Sequence, residues 1–292
     1  MIKAIIFGAK GQDGLYLSGL LGRQGVDVVA VSRTSEREQG SVADYDYVEG
    51  LITHHSPNYI FHFAANSSTH HETLFENHGA ISTGSLNILE VVRLHCPGCK
   101  VFLSGSALQF INLGLPISEK TPFDGGSPYS IARIQSVYAA RYYRDKFNIA
   151  AYVGYLFNHD SPLRTEKHIN QKIIQTVLRI SKGSDEKLVL GDIYAQKEFN
   201  YASDIVQAIW TLVNQNEVYE AVIGSGVAHS IKDWVEYSFG KYGLDWREHV
   251  VPNPSFRPDY QILVSDPAII KGLGWRPTVK LNELADIMLE GA

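Results

Sequence analysis

Short apolar runs recur through the first half of the chain. Ile2 to Phe7, Asp27 to Ser32, Tyr59 to Ala65, Lys100 to Ser104 and Ala150 to Leu156 are each a few residues long and mostly apolar. Such runs, bounded by turn-forming residues, read as buried strands. Between them the apolar residues fall three and four apart. Leu15 to Arg23 puts Leu17, Leu20 and Leu21 on one helical face before Gly25, and Ile81 to Leu94 and Pro128 to Phe147 predict further helices. Apolar strands alternating with helices are those of a parallel sheet covered on both sides. The expected fold class is α/β, a Rossmann-type doubly wound parallel sheet.

The rhythm changes near residue 158. Ile169 to Ser181 and Ile205 to Asn214 predict helices, Lys187 to Leu190 an extended segment, and short mixed elements follow. The expected division is a large domain over 1–157 and a smaller mixed α/β lobe, mainly 158–292, with some segments returning to the sheet.

Composition narrows the function classes. Of 292 residues, 45% are hydrophobic and 20% charged, an ordinary globular balance. A net charge of −5 offers no basic excess for a phosphate backbone, so no nucleic-acid partner is expected. Two cysteines cannot staple so long a chain. No stretch reaches the ~18 consecutive apolar residues of a membrane span. Glycines and Asp13 interrupt the N-terminal run where a signal peptide would stay apolar, so the cytoplasm is the expected location, with no membrane partner. Cys96-Pro97-Gly98-Cys99 falls in a helix-to-strand turn without two further ligands, and His54-His55 and His70-His71 are adjacent pairs that do not face one ion. No metal site is expected.

Gly8-x-x-Gly11-x-x-Gly14 joins the first strand to the first helix. The first glycine allows a tight turn, the second lets a pyrophosphate approach the backbone, and the third lets helix pack on strand. The helix N-terminus then offers free N–H groups to the phosphates. Dinucleotide binding is expected here. An acid at the end of the second strand would hold the adenosine ribose and reject a 2′-phosphate. Ser32-Arg33-Thr34 stands there instead, and Arg33 can pair with that phosphate, so NADP is favoured over NAD. Farther on, Ser127-Pro128-Tyr129 opens a long helix with Arg133 one turn after the tyrosine. A phenol beside a fixed cation suits acid/base work on a sugar hydroxyl.

These residues, with Gln12-Asp13, Ala64-Ala65-Asn66-Ser67, Leu156-Phe157-Asn158-His159-Asp160-Ser161-Pro162, Leu190-Gly191-Asp192, Phe256-Arg257-Pro258, Ser265-Asp266-Pro267 and Leu273-Gly274-Trp275, carry a likeness over nearly the whole chain. The chain resembles the extended short-chain dehydrogenase/reductases, the NAD-dependent epimerase/dehydratase family, and within them the GDP-mannose 4,6-dehydratases. The resemblance implies an NADP-binding Rossmann domain and a lobe that binds a nucleotide-diphosphate sugar, GDP-linked in these relatives. It implies that Gly8, Gly11, Gln12, Asp13, Gly14, Arg33, Ala64, Ala65, Tyr129, Arg133 and His159 serve the cofactor. Asn158, Lys172, Lys197 and Arg257 are implied to serve the substrate. It also implies a homodimer, formed by helices carrying Val137, Tyr138, Tyr142 and Tyr143.

The chain departs from that family at the reacting centre. Arg133 replaces the lysine four residues after the tyrosine; it keeps the charge but cannot relay a proton. Ser104-Gly105-Ser106-Ala107 replaces Ser-Thr-Ser-Glu, so Gly105 stands for the threonine and Ala107 for the glutamate that removes the C5 proton. Ser104 or Ser106 is left as the hydroxyl donor, with Glu119 and Asp124 the nearest acids downstream. Two readings follow: an NADP-dependent enzyme that oxidises, reduces or epimerises a nucleotide sugar at C4 using Tyr129, or a degenerate homologue that binds cofactor or nucleotide sugar as a partner subunit.

Overall fold

The computed structural model describes residues 1–34, 38–256 and 258–291. In chain order the elements up to the end of the large sheet are β1 (Lys3–Phe7), α1 (Gln12–Arg23), β2 (Asp27–Ser32), β3 (Glu38–Gln39), α2 (Tyr45–His55), β4 (Tyr59–His62), α3 (Leu74–Asn77), α4 (Gly84–His95), β5 (Lys100–Ser106), α5 (Pro128–Phe147), β6 (Ala151–Leu156), β7 (His159–Asp160), α6 (Ile169–Ser181), β8 (Leu188–Leu190), β9 (Gln196–Glu198), β10 (Asn200–Tyr201), α7 (Ala202–Val213) and β11 (Glu220–Ile223). Seven strands form one sheet in the order β11-β6-β5-β4-β1-β2-β3, every neighbouring pair parallel. Strand order reverses beside β1, and in open α/β sheets ligands sit outside the strand C-termini at that reversal.

Alternation along β1 divides the core between two faces. Ile5 and Phe7 pack with Ile52, Ile88, Val92, Val137 and Ala140 from α2, α4 and α5. Ala4 and Ile6 pack with Leu17, Leu21, Ile205 and Ile209 from α1 and α7. Helix α7 and strand β11, both after residue 158, therefore belong to the sheet layer. A separate apolar cluster joins Ile173, Ile174 and Val177 of α6 to Trp234, Phe239, Leu284 and Met288. This third cluster is distinct from the two that cover the faces of the sheet.

Most expected elements appear with shifted ends. The strand expected to reach Ala65 stops at His62, and the one expected to stop at Ser104 continues to Ser106. The helix expected from Ile81 begins as a π-helical stretch, His78–Thr83, and runs on as α4. Helix α5 starts at Pro128, where a missing N–H costs nothing, and Ser127 caps it by accepting from Ser130 N at 3.1 Å.

Candidate active site

The glycine turn has the shape a phosphate cradle requires. Gly8 has φ +86°, and a Cβ there would meet Ala64 N at 2.7 Å. A Cβ at Gly14 would meet Gly8 O at 2.5 Å, so helix and strand pack at backbone contact. Gly11 meets nothing closer than 3.3 Å and caps α1 without a side-chain hydrogen bond. The first turn of α1 thus has no side-chain cap, and Gly11 to Gly14 line a basin, as a pyrophosphate site needs.

Two basins meet at this turn. One, of about 490 Å³, is lined by Ser32, Arg33, Ala64 and Glu76. The other, of about 510 Å³, is lined by Gln12, Asp13, Ser106, Tyr129, Asn158 and Lys197. Gly8, Gly11 and Ala65 line both. A side pocket of about 260 Å³ continues past Lys197 between Gly191-Asp192 and Phe256.

The loop after β6 is stitched to the glycine turn by polar contacts. His159 Nε2 lies 2.8 Å from Asp13 Oδ1, and its Nδ1 lies 2.7 Å from the Phe157 carbonyl. With an acceptor at each ring nitrogen, the imidazole fits its doubly protonated form. Burial opposes that charge, but Asp13 outweighs it and the His159 pKa is raised. Burial likewise works against the Asp13 carboxylate, yet His159 and Arg164 bring it down to about 2. Ser161 Oγ donates to Gln12 Oε1 at 2.7 Å, and Asn170 Nδ2 donates to Asp160 Oδ2 at 2.6 Å.

At the reacting end Tyr129 is nearly buried and lines the larger basin. Arg133 is buried, its guanidinium carbon 5.1 Å from the centre of the Tyr129 ring. Arg133 Nη1 donates to Ser104 Oγ at 2.7 Å and also to the Ser104 carbonyl. Its buried Nε has no partner among the described residues, a donor that a ribose hydroxyl would satisfy. Ser104 donates its own hydroxyl to the His62 carbonyl at 2.9 Å, so both of its roles are taken within the fold. Ser106 accepts from Leu108 N at 3.2 Å and lines the basin, leaving its hydroxyl hydrogen without an acceptor among the described residues. Of the two serines, Ser106 is the one equipped to donate to a ligand.

Ala107 lines the same wall. Gly105 does not leave an empty space: a Cβ there would meet Tyr155 Cδ1 at 2.7 Å and Gln109 Oε1 at 3.0 Å. Glu119 accepts from Val222 N at 2.6 Å, away from the basin, while Asp124 lines a neighbouring cavity with Ala107 and Asp259.

The small-lobe residues divide. Lys197 is buried and faces the basin and the side pocket, its ammonium 5.2 Å from the Phe199 ring centre. Burial lowers its pKa, partly offset by Asp160. Asn158 lines the basin with Oδ1 buried and unpartnered among the described residues. Lys172 instead donates to the Val189 carbonyl at 3.0 Å and lines neither basin. Arg257 lies outside the described residues. Arg164, Lys167 and His168, absent from the sequence reading, line the basin beside Lys197. Their signal was the cluster of Arg164, Lys167 and His168 shortly after Asp160-Ser161-Pro162.

Comparison with known proteins matches residues 5–288 to a family model described as GDP-mannose 4,6 dehydratase. The chain belongs to the GDP-mannose 4,6-dehydratase family. GDP-mannose 4,6 dehydratase 1 of Arabidopsis thaliana is 30% identical over 98% of this chain and 88% of its own length. The fold is shared with a Thermotoga maritima UDP-glucose 4-epimerase with UDP-glucose, at TM-score 0.89 and 20% identity over 99% of this chain and 98% of that one. It is also shared with RMD from Pseudomonas aeruginosa complexed with NADPH, at TM-score 0.87 and 16% identity over 100% and 97%. Membership places the chain among nucleotide-sugar enzymes. Among the described residues, no helix is long and apolar enough to cross a membrane.

Proposed function

We propose that the protein transfers hydride at C4 of a GDP-linked sugar with NADP(H), without eliminating water from that sugar. The observation that carries this reading is the wall of Tyr129, Ser106 and Ala107: two hydroxyls, and a methyl where the family's dehydration base would stand. The nicotinamide, when bound, supplies or accepts the hydride. Tyr129 holds or gives the proton at sugar O4, and Ser106 donates a hydrogen bond to the same oxygen. Arg133 keeps a positive charge under the Tyr129 ring and offers Nε to the cofactor ribose. The α1 N-terminus takes the cofactor pyrophosphate. Lys197, Arg164 and Lys167 neutralise the sugar-nucleotide diphosphate, with the base in the side pocket beside Asp192.

The test supplies NADPH with a GDP-linked 4-keto-6-deoxy sugar and follows cofactor oxidation. Oxidation matched by formation of the 4-hydroxy sugar supports the proposal. Binding without turnover favours the second reading, a non-catalytic partner subunit, for which the commitment of Arg133 Nη1 to Ser104 speaks. Val137 and Tyr143 are buried in this chain's own core, but the exposed Leu86, Leu94, Tyr138 and Tyr142 on α4 and α5 support assembly as a homodimer, which sedimentation velocity measures.

A further inference from the structure

Arg33 is not alone at the adenosine end of the trough. Its Nη1 lies 3.0 Å from Oε1 of Glu76, on α3. The other carboxylate oxygen, Oε2, accepts from Asn66 Nδ2 at 2.8 Å. Asn66 in turn belongs to the segment after β4 that forms the trough wall, and its Oδ1 accepts from Ser68 N at 3.1 Å. The carboxylate is thus held by a second contact, from the segment after β4, that does not depend on Arg33. Arg33 is the more exposed partner, its side chain 71% exposed against 37% for Glu76. Both line the basin that also holds Ser32 and Thr34.

This arrangement sets two cofactors against each other. A 2′-phosphate must share Arg33 with Glu76 or take it away, and in either case lies beside an anchored negative charge. A ribose with a free 2′-hydroxyl meets neither cost, and can donate to the carboxylate. We infer that Glu76 is a specificity-determining residue that holds down the preference for the 2′-phosphorylated dinucleotide, so that the chain takes both NADP(H) and NAD(H). The acid missing from the end of β2 is supplied from α3. The inference rests on the dinucleotide reading of the trough.

The test is titration of the full chain with NADP+ and with NAD+ by calorimetry, for the parent protein and for Glu76→Gln, Glu76→Ala and Arg33→Ala. The expected parent preference for NADP+ is less than about tenfold. Both Glu76 substitutions raise the ratio of the two dissociation constants by about tenfold, the scale of one charge-assisted hydrogen bond gained. Arg33→Ala lowers the ratio. Unchanged ratios in both Glu76 variants, with NADP+ still bound, overturn the inference and leave the cofactor reading standing. If neither dinucleotide binds the parent protein, both fall.

Discussion

His159 Nε2 sits 2.8 Å from Asp13 Oδ1, across 146 residues of chain. This pair ties the Gly8–Gly14 turn to the Asn158–Pro162 loop. It holds the loop that carries Asn158 against the glycine turn, and under the proposed function that contact sets the spacing of the cofactor and sugar sites. Two pH limits follow. The raised His159 pKa contributes stability that is fully present below the unfolded value near 6.5 and is lost as pH rises through the folded value. The depressed Asp13 pKa contributes stability present above 3.8 and lost as pH falls toward about 2. Urea midpoints should therefore decline above neutrality in the parent and decline less in His159→Gln. Parallel pH profiles for the two proteins would refute the charged pair.

The phenol is the acid/base group in this account. Tyr129→Phe keeps the ring against Arg133 and removes only the hydroxyl. Cofactor and sugar-nucleotide affinities should stay near parent values while hydride transfer falls by at least ~10²-fold, the scale of a lost general acid/base. Single-turnover kinetics with bound cofactor separate the two effects. A variant with parental turnover would assign the proton to another group.

Gly105 and Tyr155 compete for one volume. The Tyr155 ring fills the space a side chain at 105 needs, and its hydroxyl donates to Glu220 at 2.6 Å. Gly105→Thr alone should cost about 1–3 kcal/mol, the range for overpacking a filled core. Tyr155→Leu should recover much of that cost in the double variant, because Arg141 and Arg144 still pair with Glu220. Restoring the family's dehydration residues as Gly105→Thr, Ala107→Glu and Arg133→Lys should therefore yield little activity until Tyr155 is also reduced. Denaturant midpoints of the two singles and the double decide this: additive losses would mean that the two positions do not compete.

The cationic end separates two lysines that the sequence had paired. Lys197→Ala should weaken nucleotide-sugar binding by about tenfold or more, as loss of a charge-assisted contact does. Lys172→Ala should leave it unchanged, since that ammonium is spent on the Val189 carbonyl. Equal effects in calorimetric titrations would contradict the assignment.

Much of the sheet was legible from apolar periodicity, because buried parallel strands carry an uninterrupted apolar signal. Strand β11 was missed: Glu220-Ala221-Val222-Ile223 is only four residues long, and its pairing with β6 and the ion pairs of Glu220 with Arg141 and Arg144 join residues distant in sequence. The glycine turn was legible because sterics at Gly8 and Gly14 leave no alternative. The partners of Arg33, Ser104 and Lys172 were not, since a polar side chain's partner depends on contacts distant in sequence. Glu76 and Arg164 belong to the site for that reason only. Ser104 and Ser106 have the same chemistry in the sequence, and hydrogen bonds to His62, Arg133 and Leu108 distinguish them.

The central claim is hydride transfer at C4 without dehydration. Its most direct test is mass spectrometry of the nucleotide sugar after incubation with the unmodified protein. GDP-mannose with NADP+ should show no loss of water, and the GDP-linked 4-keto-6-deoxy sugar with NADPH should gain two hydrogens. Rapid loss of water from GDP-mannose would contradict the account, and would mean that another carboxylate, such as Asp124 or Asp259, has taken the place left by Ala107.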